Sequence, residues 1–266
     1  MSSEVIVLIP HYENVLGLIN SIKSIQENFL VDIIIVDDGS KNKPLPIDEI
    51  QKSYNNQGNI IFEIIEENKG IEVALNVGLS IILEMKYKYI ARLDCGDLFH
   101  KDKLRKQLTY LKKNKDVKLL GTWGNIKDQE NNLLYIEKHP VSYEEIKKKI
   151  YLNSTFLHPS VVFEVDILSV VGLYPLDYQA AEDYGFFMKI VKHFRSENYP
   201  ETLIDYIIDP NSISSLKRKR QVKSRIKGII NNYYIGWYPT YGLLRNVLLL
   251  FLSRKMSNAL KSKFKR

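Results

Sequence analysis

Cysteine is almost absent from this chain: Cys95 is the single one in 266 residues. One thiol excludes an internal disulfide framework and suits a reducing compartment. Long apolar runs are missing too. The most apolar C-terminal stretch, residues 243–252, is interrupted by Arg245 and Asn246, and a membrane span needs about twenty apolar residues. No basic start followed by an apolar segment opens the chain, so no secretory leader is expected. Neither G-x-x-x-x-G-K-[ST] nor, after the first strand, G-x-G-x-x-G occurs, which disfavours P-loop and dinucleotide-binding readings. Internal repeats and low-complexity segments are also lacking.

Acidic residues vanish at one end. Residues 217–266 carry fourteen Lys or Arg and no Asp or Glu, whereas the first 216 hold 24 basic against 31 acidic residues. The net charge of +7 therefore hides an acidic globular unit and a cationic tail. Such asymmetry points to nucleic acid or an anionic membrane. Lys217, Arg218, Lys219, Arg220, Lys223, Arg225 and Lys227 precede Tyr233, Tyr234, Trp237, Tyr238 and Tyr241. Aromatics settle at headgroup level, and each basic residue adds roughly 1 kcal/mol near anionic lipid. The pattern favours an amphipathic helix lying on a bilayer. A helical appendage packed on the domain, with a solvated basic face, is the alternative. No nucleic-acid module motif supports a nucleic-acid partner.

The first hundred residues alternate between strand and helix. Strands are expected over 5–9, 31–36, 59–64 and 89–93, with helices over 15–25 and after Asn68-Lys69-Gly70. Later elements are a helix over 101–114, a strand over 117–123, a hairpin turn at 128–132 and a helix over 143–151. A short strand over 160–163, a helix over 182–194 with Phe186, Phe187, Ile190 and Phe194 inward, and a last strand over 204–208 complete them. Buried strands alternating with helices make an α/β fold with a mostly parallel sheet wrapped by helices. In such sheets ligands sit beyond the carboxyl ends of the strands.

Those ends carry Pro10-His11-Tyr12, Asp37-Asp38-Gly39-Ser40, residues 66–70 and Asp94-Cys95-Gly96-Asp97. One strand-end Asp is ordinary capping. Several together repel unless a cation or donors compensate. Hard carboxylate oxygens suit Mg²⁺ or Mn²⁺, which bind through one or two carboxylates plus a substrate's phosphates. Cys95 has no base placed to activate it and reads as a small filler.

Five segments in order, Val5–Tyr12, Ile34–Ser40, Glu67–Ile71, Ala91–Asp97 and Ala181-Glu182-Asp183-Tyr184, resemble the family-2 inverting glycosyltransferases with the GT-A fold. The similarity is greatest to bacterial enzymes of surface-polysaccharide and lipopolysaccharide assembly and covers residues 4–215. It implies a GT-A domain over 1–216, with a nucleotide-sugar half (1–98) and an acceptor half (99–216), followed by a membrane-associating tail (217–266). Pro10, His11 and Tyr12 would border the nucleobase, with Tyr12 stacking on it. Asp38 would bond the base or ribose, while Asp37 supports the turn. Lys69 and Gly70 would approach the nucleotide, and Arg92 and Asp94 would line the ribose and diphosphate. Asp94 or Asp97 would hold Mn²⁺ or Mg²⁺. Asp183, of the Glu182-Asp183 pair, matches the catalytic base; without the resemblance the pair would read as simple helix N-terminal charge.

Two departures stand out. Gly96 occupies a position where the family carries an acid, and Asp209 stands where many members have His. Asp209 is either a replacement oxygen ligand or a turn residue. His158, in a segment matching the acceptor side, would orient acceptor or leaving group or, as a lone His beside Pro, pack and bond locally, and Trp123 would offer a sugar platform or pack in the core. His100, His139 and His193 show no ligand spacing. The expected activity is transfer from a UDP-sugar to a lipid-linked glycan, on the inner face of the plasma membrane in the cytoplasm. A degenerate scaffold and a nucleotidyltransferase are the competing classes.

Overall fold

The computed structural model describes residues 3–208 and 217–251. Asp209, and the basic residues from Arg254 onward, lie outside that range. The parallel half of the sheet comes first: β1 (Val5–His11), α1 (Val15–Lys23), β2 (Asp32–Asp37), α2 (Ile47–Ser53), β3 (Ile60–Ile64), α3 (Ile71–Leu83) and β4 (Tyr89–Arg92). The strand order is β3-β2-β1-β4, all parallel. β1 and β2 are buried along their whole length, which is why they read as continuous apolar runs rather than alternating ones.

The second half contains β5 (Leu98–Phe99), α4 (Lys103–Lys113), β6 (Val117–Lys127), β7 (Leu133–Glu137), α5 (Tyr143–Lys149), β8 (Val162–Glu164), α6 (Leu168–Val171), α7 (Glu182–His193) and β9 (Arg195–Ile207). It continues the sheet as β4-β8-β6-β9-β5, with β7 paired to β6. β4–β8, β8–β6 and β9–β5 run antiparallel, while β6–β9 is parallel. β9 is far longer than the strand expected over 204–208. Its first part holds charged residues and Pro200, a poor strand signal. The β6–β9 register jumps from Thr122↔Tyr199 to Trp123↔Thr202, so Pro200 and Glu201 fall in a bulge where no ladder N–H is needed.

Two cores flank the sheet. Ile6 and Leu8 face α3 and α7 through Leu75, Leu79, Phe186 and Phe187. Val5, Val7 and Ile9 face α1 and α4 through Leu18, Ile22, Leu104 and Leu108. This alternation of one strand's residues between two helical layers is what a three-layer α/β unit requires.

One buried group opposes folding. Lys103 is fully buried, with Nζ 2.7 Å from Gln107 Oε1 and over the Phe99 ring. Burial pushes its amine down from 10.5 to about 7. Between these values the unfolded chain binds the extra proton, so stability rises with pH. Wild-type stability relative to Lys103→Met is expected to climb from pH 7 towards pH 10, by up to about 1.4 kcal/mol per unit. Urea unfolding of both proteins across that window checks this; a constant difference would contradict it.

The tail forms two helices, α8 (Arg218–Asn231) and α9 (Trp237–Phe251). They pack on each other, and α8 packs on α7. Ser224 Oγ donates to Gln179 O at 2.9 Å, and Tyr151 Oη donates to Asn232 O at 2.8 Å. The described tail is thus a docked hairpin rather than one amphipathic helix. Among the described residues no helix is long and apolar enough to cross a membrane.

Candidate active site

At the end of β1, His11 turns inward. Its Nε2 accepts the Asn14 N–H at 3.1 Å, so Nδ1–H donates to Asp37 Oδ1, 2.6 Å away. Asp37 also accepts from Ser40 Oγ at 2.6 Å and Ser40 N at 3.1 Å, and so ties the β1 and β2 loops together. Pro10 and His11 are both buried. Pro10 pairs with Val36 in the sheet and the His11 side chain is a strut to Asp37, so both sit at the edge expected to border a nucleobase. Tyr12, half exposed, is the aromatic ring left open at this edge.

Asp38 accepts from the backbone N–H of Lys69 at 2.8 Å and of Gly70 at 2.9 Å. It fastens the loop before α3 to the end of β2. Gly70 has φ +101°, a backbone conformation that favours glycine. Each Asp38 oxygen keeps a lone pair for a further donor, and the Lys69 side chain is exposed.

The end of β4 carries the densest chemistry. Arg92 is fully buried; Nη1 donates to Leu8 O, Nη2 to Asp94 Oδ1 at 2.5 Å, and Nε lies 3.5 Å from His158 Nε2. His158 Nε2 also lies 2.9 Å from Tyr174 Oη, and its Nδ1 is 3.9 Å from Asp94 Oδ2. Burial first, and Arg92 second, hold the imidazole below its ordinary value, hence neutral. Burial pushes the Tyr174 phenol up, so it remains a donor. Tyr174 is positioned by two reciprocal bonds with the Asn76 amide, at 2.8 and 2.9 Å.

After Asp94 the chain turns at Gly96, φ +106°, whose N–H donates to Ser21 Oγ at 2.9 Å. An aspartate at this φ would be strained, which accounts for the missing acid. Asp97 Oδ1 accepts from Ile207 N at 2.8 Å, while its buried Oδ2 has no partner among the described residues. Burial, then the Asp94 charge, pushes the Asp97 carboxyl well up. Cys95 donates to Asn14 O at 3.3 Å, and burial pushes its thiol up, so it is no nucleophile.

Glu182 and Asp183 open α7. Burial, and then Asp183, push the Glu182 carboxyl up to about 8, with Glu72 and Asp94 also acting on it. Asp183 Oδ1 accepts from Tyr184 N at 2.7 Å. His158 and Tyr174 both feel the Asp183 charge. Arg92, Asp94, Asp97, His158, Tyr174, Glu182 and Asp183 therefore share one electrostatic neighbourhood, with Asp38 two strands away on the same edge. Trp123 stands apart. Its Nε1 donates to His139 O at 2.9 Å, and no bond among the described residues ties it to this cluster. His100 is not a bystander either: Nε2 lies 2.7 Å from Asp205 Oδ1, beside β5.

Sequence reasoning missed Tyr174, Asn76 and Glu72. Tyr174 lies in a Gly-Leu-Tyr-Pro loop that carries no chemical signal. Among the described residues no three His, Cys, Asp or Glu side chains form a metal cage. The orphaned Asp97 oxygen beside Asp94 nevertheless fits a divalent ion that takes its remaining ligands from a substrate.

The sequence model of Glycosyl transferase family 2 matches residues 6–168. The chain belongs to this family. A bifunctional glycosyltransferase, pgtA, of Dictyostelium discoideum is 30% identical over 247 residues, covering 80% of this chain and 32% of that protein. The chain thus spans about a third of that relative. The UDP-Gal:alpha-D-GlcNAc-diphosphoundecaprenol beta-1,3-galactosyltransferase of Escherichia coli is 27% identical over 222 residues, 82% of this chain and 78% of that one. Among solved structures, Staphylococcus aureus TarS 1–349 with UDP superposes with TM-score 0.65 at 17% identity, over 97% of this chain and 75% of that one. The Pyrobaculum calidifontis mannosyltransferase PcManGT with GDP-Man and Mn²⁺ gives 0.65 at 15% identity, over 95% and 71%. The fold is that of GT-A glycosyltransferases, as the sequence resemblance implied, and residues 6–168 are a family 2 glycosyltransferase domain.

Proposed function

We propose that this glycosyltransferase is inverting and moves a sugar from a nucleotide sugar, a UDP-sugar foremost, to a hydroxyl of a lipid-linked glycan in surface-polysaccharide assembly. One observation carries the reading. The carboxylates that open α7 lie within electrostatic reach of Asp94, His158 and Tyr174 at the end of β4. A single displacement needs a base for the acceptor proton and compensation for the leaving diphosphate. Asp183 is the base, held by the Tyr184 N–H. Glu182, raised to about 8, keeps its proton at neutral pH and spares Asp183 a second adjacent charge. Arg92 orients Asp94, and Arg92 and Tyr174 both donate to Nε2 of the neutral His158, which leaves its Nδ1–H towards Asp94. Mn²⁺ or Mg²⁺, when bound, would be held by Asp94 and Asp97 together with substrate oxygens and would neutralise developing charge. At the base end, Tyr12 is the stacking ring and Asp38 the polar partner. UDP-Gal in the name of the Escherichia coli relative, and UDP and GDP-Man bound to the two solved structures, support a nucleotide sugar. A panel of UDP- and GDP-sugars, read by released nucleoside diphosphate with Mn²⁺ or EDTA, tests this; release of sugar 1-phosphate instead would favour nucleotidyl transfer.

Membrane contact through the tail rests on its exposed face. Ile235 is 97% exposed, Trp237 73% and Phe251 80%, beside Tyr233, Tyr234, Tyr241, Leu244 and Leu248. A patch of this kind, next to a run of Lys and Arg, suits an anionic bilayer surface. The double variant Ile235→Asp, Trp237→Asp is expected to lose most flotation with phosphatidylglycerol vesicles while its unfolding temperature stays unchanged. Undiminished flotation would place membrane contact elsewhere.

A further inference from the structure

The docked tail does more than cover the domain. α8 is seated over residues 177–184 by the Ser224–Gln179 bond and the Lys227–Asp177 pair, and Gly228 sits so close that a Cβ would lie 2.9 Å from the Tyr184 ring. α9 is seated on the loop after α5: Arg245 Nη1 donates to Leu152 O, and a Cβ on Gly242 would lie 2.2 Å from Tyr151 O. These two contacts bring Arg225 of α8 and Arg245 of α9 into one electrostatic neighbourhood with Asp183. Arg225 Nε is buried without a partner, and its guanidinium closes no ion pair among the described residues. A buried Nε–H left without an acceptor is costly, and Asp183, whose charge acts on Arg225, makes no hydrogen bond or ion pair with it among the described residues. The planar fork of Arg matches phosphate oxygens.

We propose that Arg225, assisted by Arg245, is an anion subsite that takes phosphate oxygens on the acceptor side of the transfer site, those of a lipid-diphosphate anchor. The side follows from Asp183: a base stands next to the acceptor hydroxyl, opposite the departing diphosphate, so cations beside it face the acceptor. The proposal rests on that assignment of Asp183. It makes residues 217–251 part of the substrate site, and it explains why a guanidinium N–H of the tail is buried without an acceptor among the described residues.

The donor's diphosphate is the other source of such oxygens, and the test separates the two. Binding of geranyl diphosphate, and separately of UDP with Mn²⁺, is measured by calorimetry on the full chain and on Arg225→Gln, Arg225→Lys and Arg245→Gln. Expected are a tenfold or greater loss of geranyl diphosphate affinity in Arg225→Gln, partial retention in Arg225→Lys, a smaller loss in Arg245→Gln, and UDP affinity within twofold of wild type throughout. Unchanged geranyl diphosphate binding overturns the subsite. Loss of UDP binding alone moves the anion to the donor and overturns the acceptor assignment. Should Arg225→Gln fail to fold, Arg225→Lys and Arg245→Gln carry the same comparison. A wild-type protein that releases no nucleoside diphosphate from any donor would defeat the transferase reading instead, a result independent of these affinities.

Discussion

Asp183→Asn is expected to lower sugar transfer by about 10³-fold, within the usual range for removing a general base. The amide keeps the shape and the bond from Tyr184 N, so fold and donor affinity stay near wild type. Only the group that accepts the proton is lost. Glu182→Gln is expected to cost less than about tenfold, because the Glu182 carboxyl, held up to about 8 by burial and by Asp183, is already neutral at pH 7. The sign of the pH effect follows. Raising the pH through 8 places a second negative charge beside Asp183 in the wild type but not in Glu182→Gln, so any change in rate there should vanish in the variant. Initial rates of nucleoside diphosphate release for the three proteins, between pH 6 and 9, check both statements. Equal losses in the two variants would remove the distinction between base and neighbour.

Arg92→Met is expected to lower stability by about 3 kcal/mol, the low end for breaking a buried charged pair. Arg92 is fully enclosed and serves Leu8 O, Asp94 and His158 at once. Methionine fills much of the volume but leaves a buried carbonyl and a carboxylate without their donor. Asp94 is partly open to water, which moderates the loss. The melting temperature should fall by roughly 10 °C for a chain of this size, and residual transfer should drop with the loss of a fixed Asp94. Thermal unfolding together with rate measurements below the lowered transition separates the two effects. A variant as stable as wild type would mean that Arg92 is not the strut of this strand end.

Much of the parallel half was legible because its physics is local. Residues 5–9 and 33–36 are apolar without interruption, as doubly covered strands must be, and their polar ends mark where the sheet meets a ligand edge. The second half was less open. β9 carries Arg195, Glu197, Pro200 and Glu201, and becomes a strand only because β6 supplies a partner and a bulge absorbs Pro200. α2 is short, follows directly on Pro44 and Pro46, and offers only Ile47 and Ile50 as apolar positions to announce it. Asp94, Asp97 and Asp183 announced themselves as acids at element ends. The place of His11 in the motif did not disclose that Asp37 would draw its ring inward. Tyr174 and Asn76 meet across ninety-eight residues, and no local pattern foretells such a pair. Arg225 was one cation in a run of seven; only docking of α8 on the segment before α7 distinguishes it from its neighbours. The tail's charge pattern was plain, but its division into two packed helices was not, since the turn lies among aromatics that served the membrane reading equally well.

The account stands on the carboxylates of separate strand and helix ends bounding one nucleotide site. A crystal structure of the protein with UDP and Mn²⁺ tests it most directly. The base is expected against Tyr12 and Asp38, with the diphosphate and the ion at Asp94 and Asp97 and the α7 carboxylates facing them across the space a sugar would fill. Nucleotide seated instead in the groove of about 590 Å³ lined by Tyr143, Lys147, Tyr151 and Lys192, with no ion at Asp94 or Asp97, would contradict it.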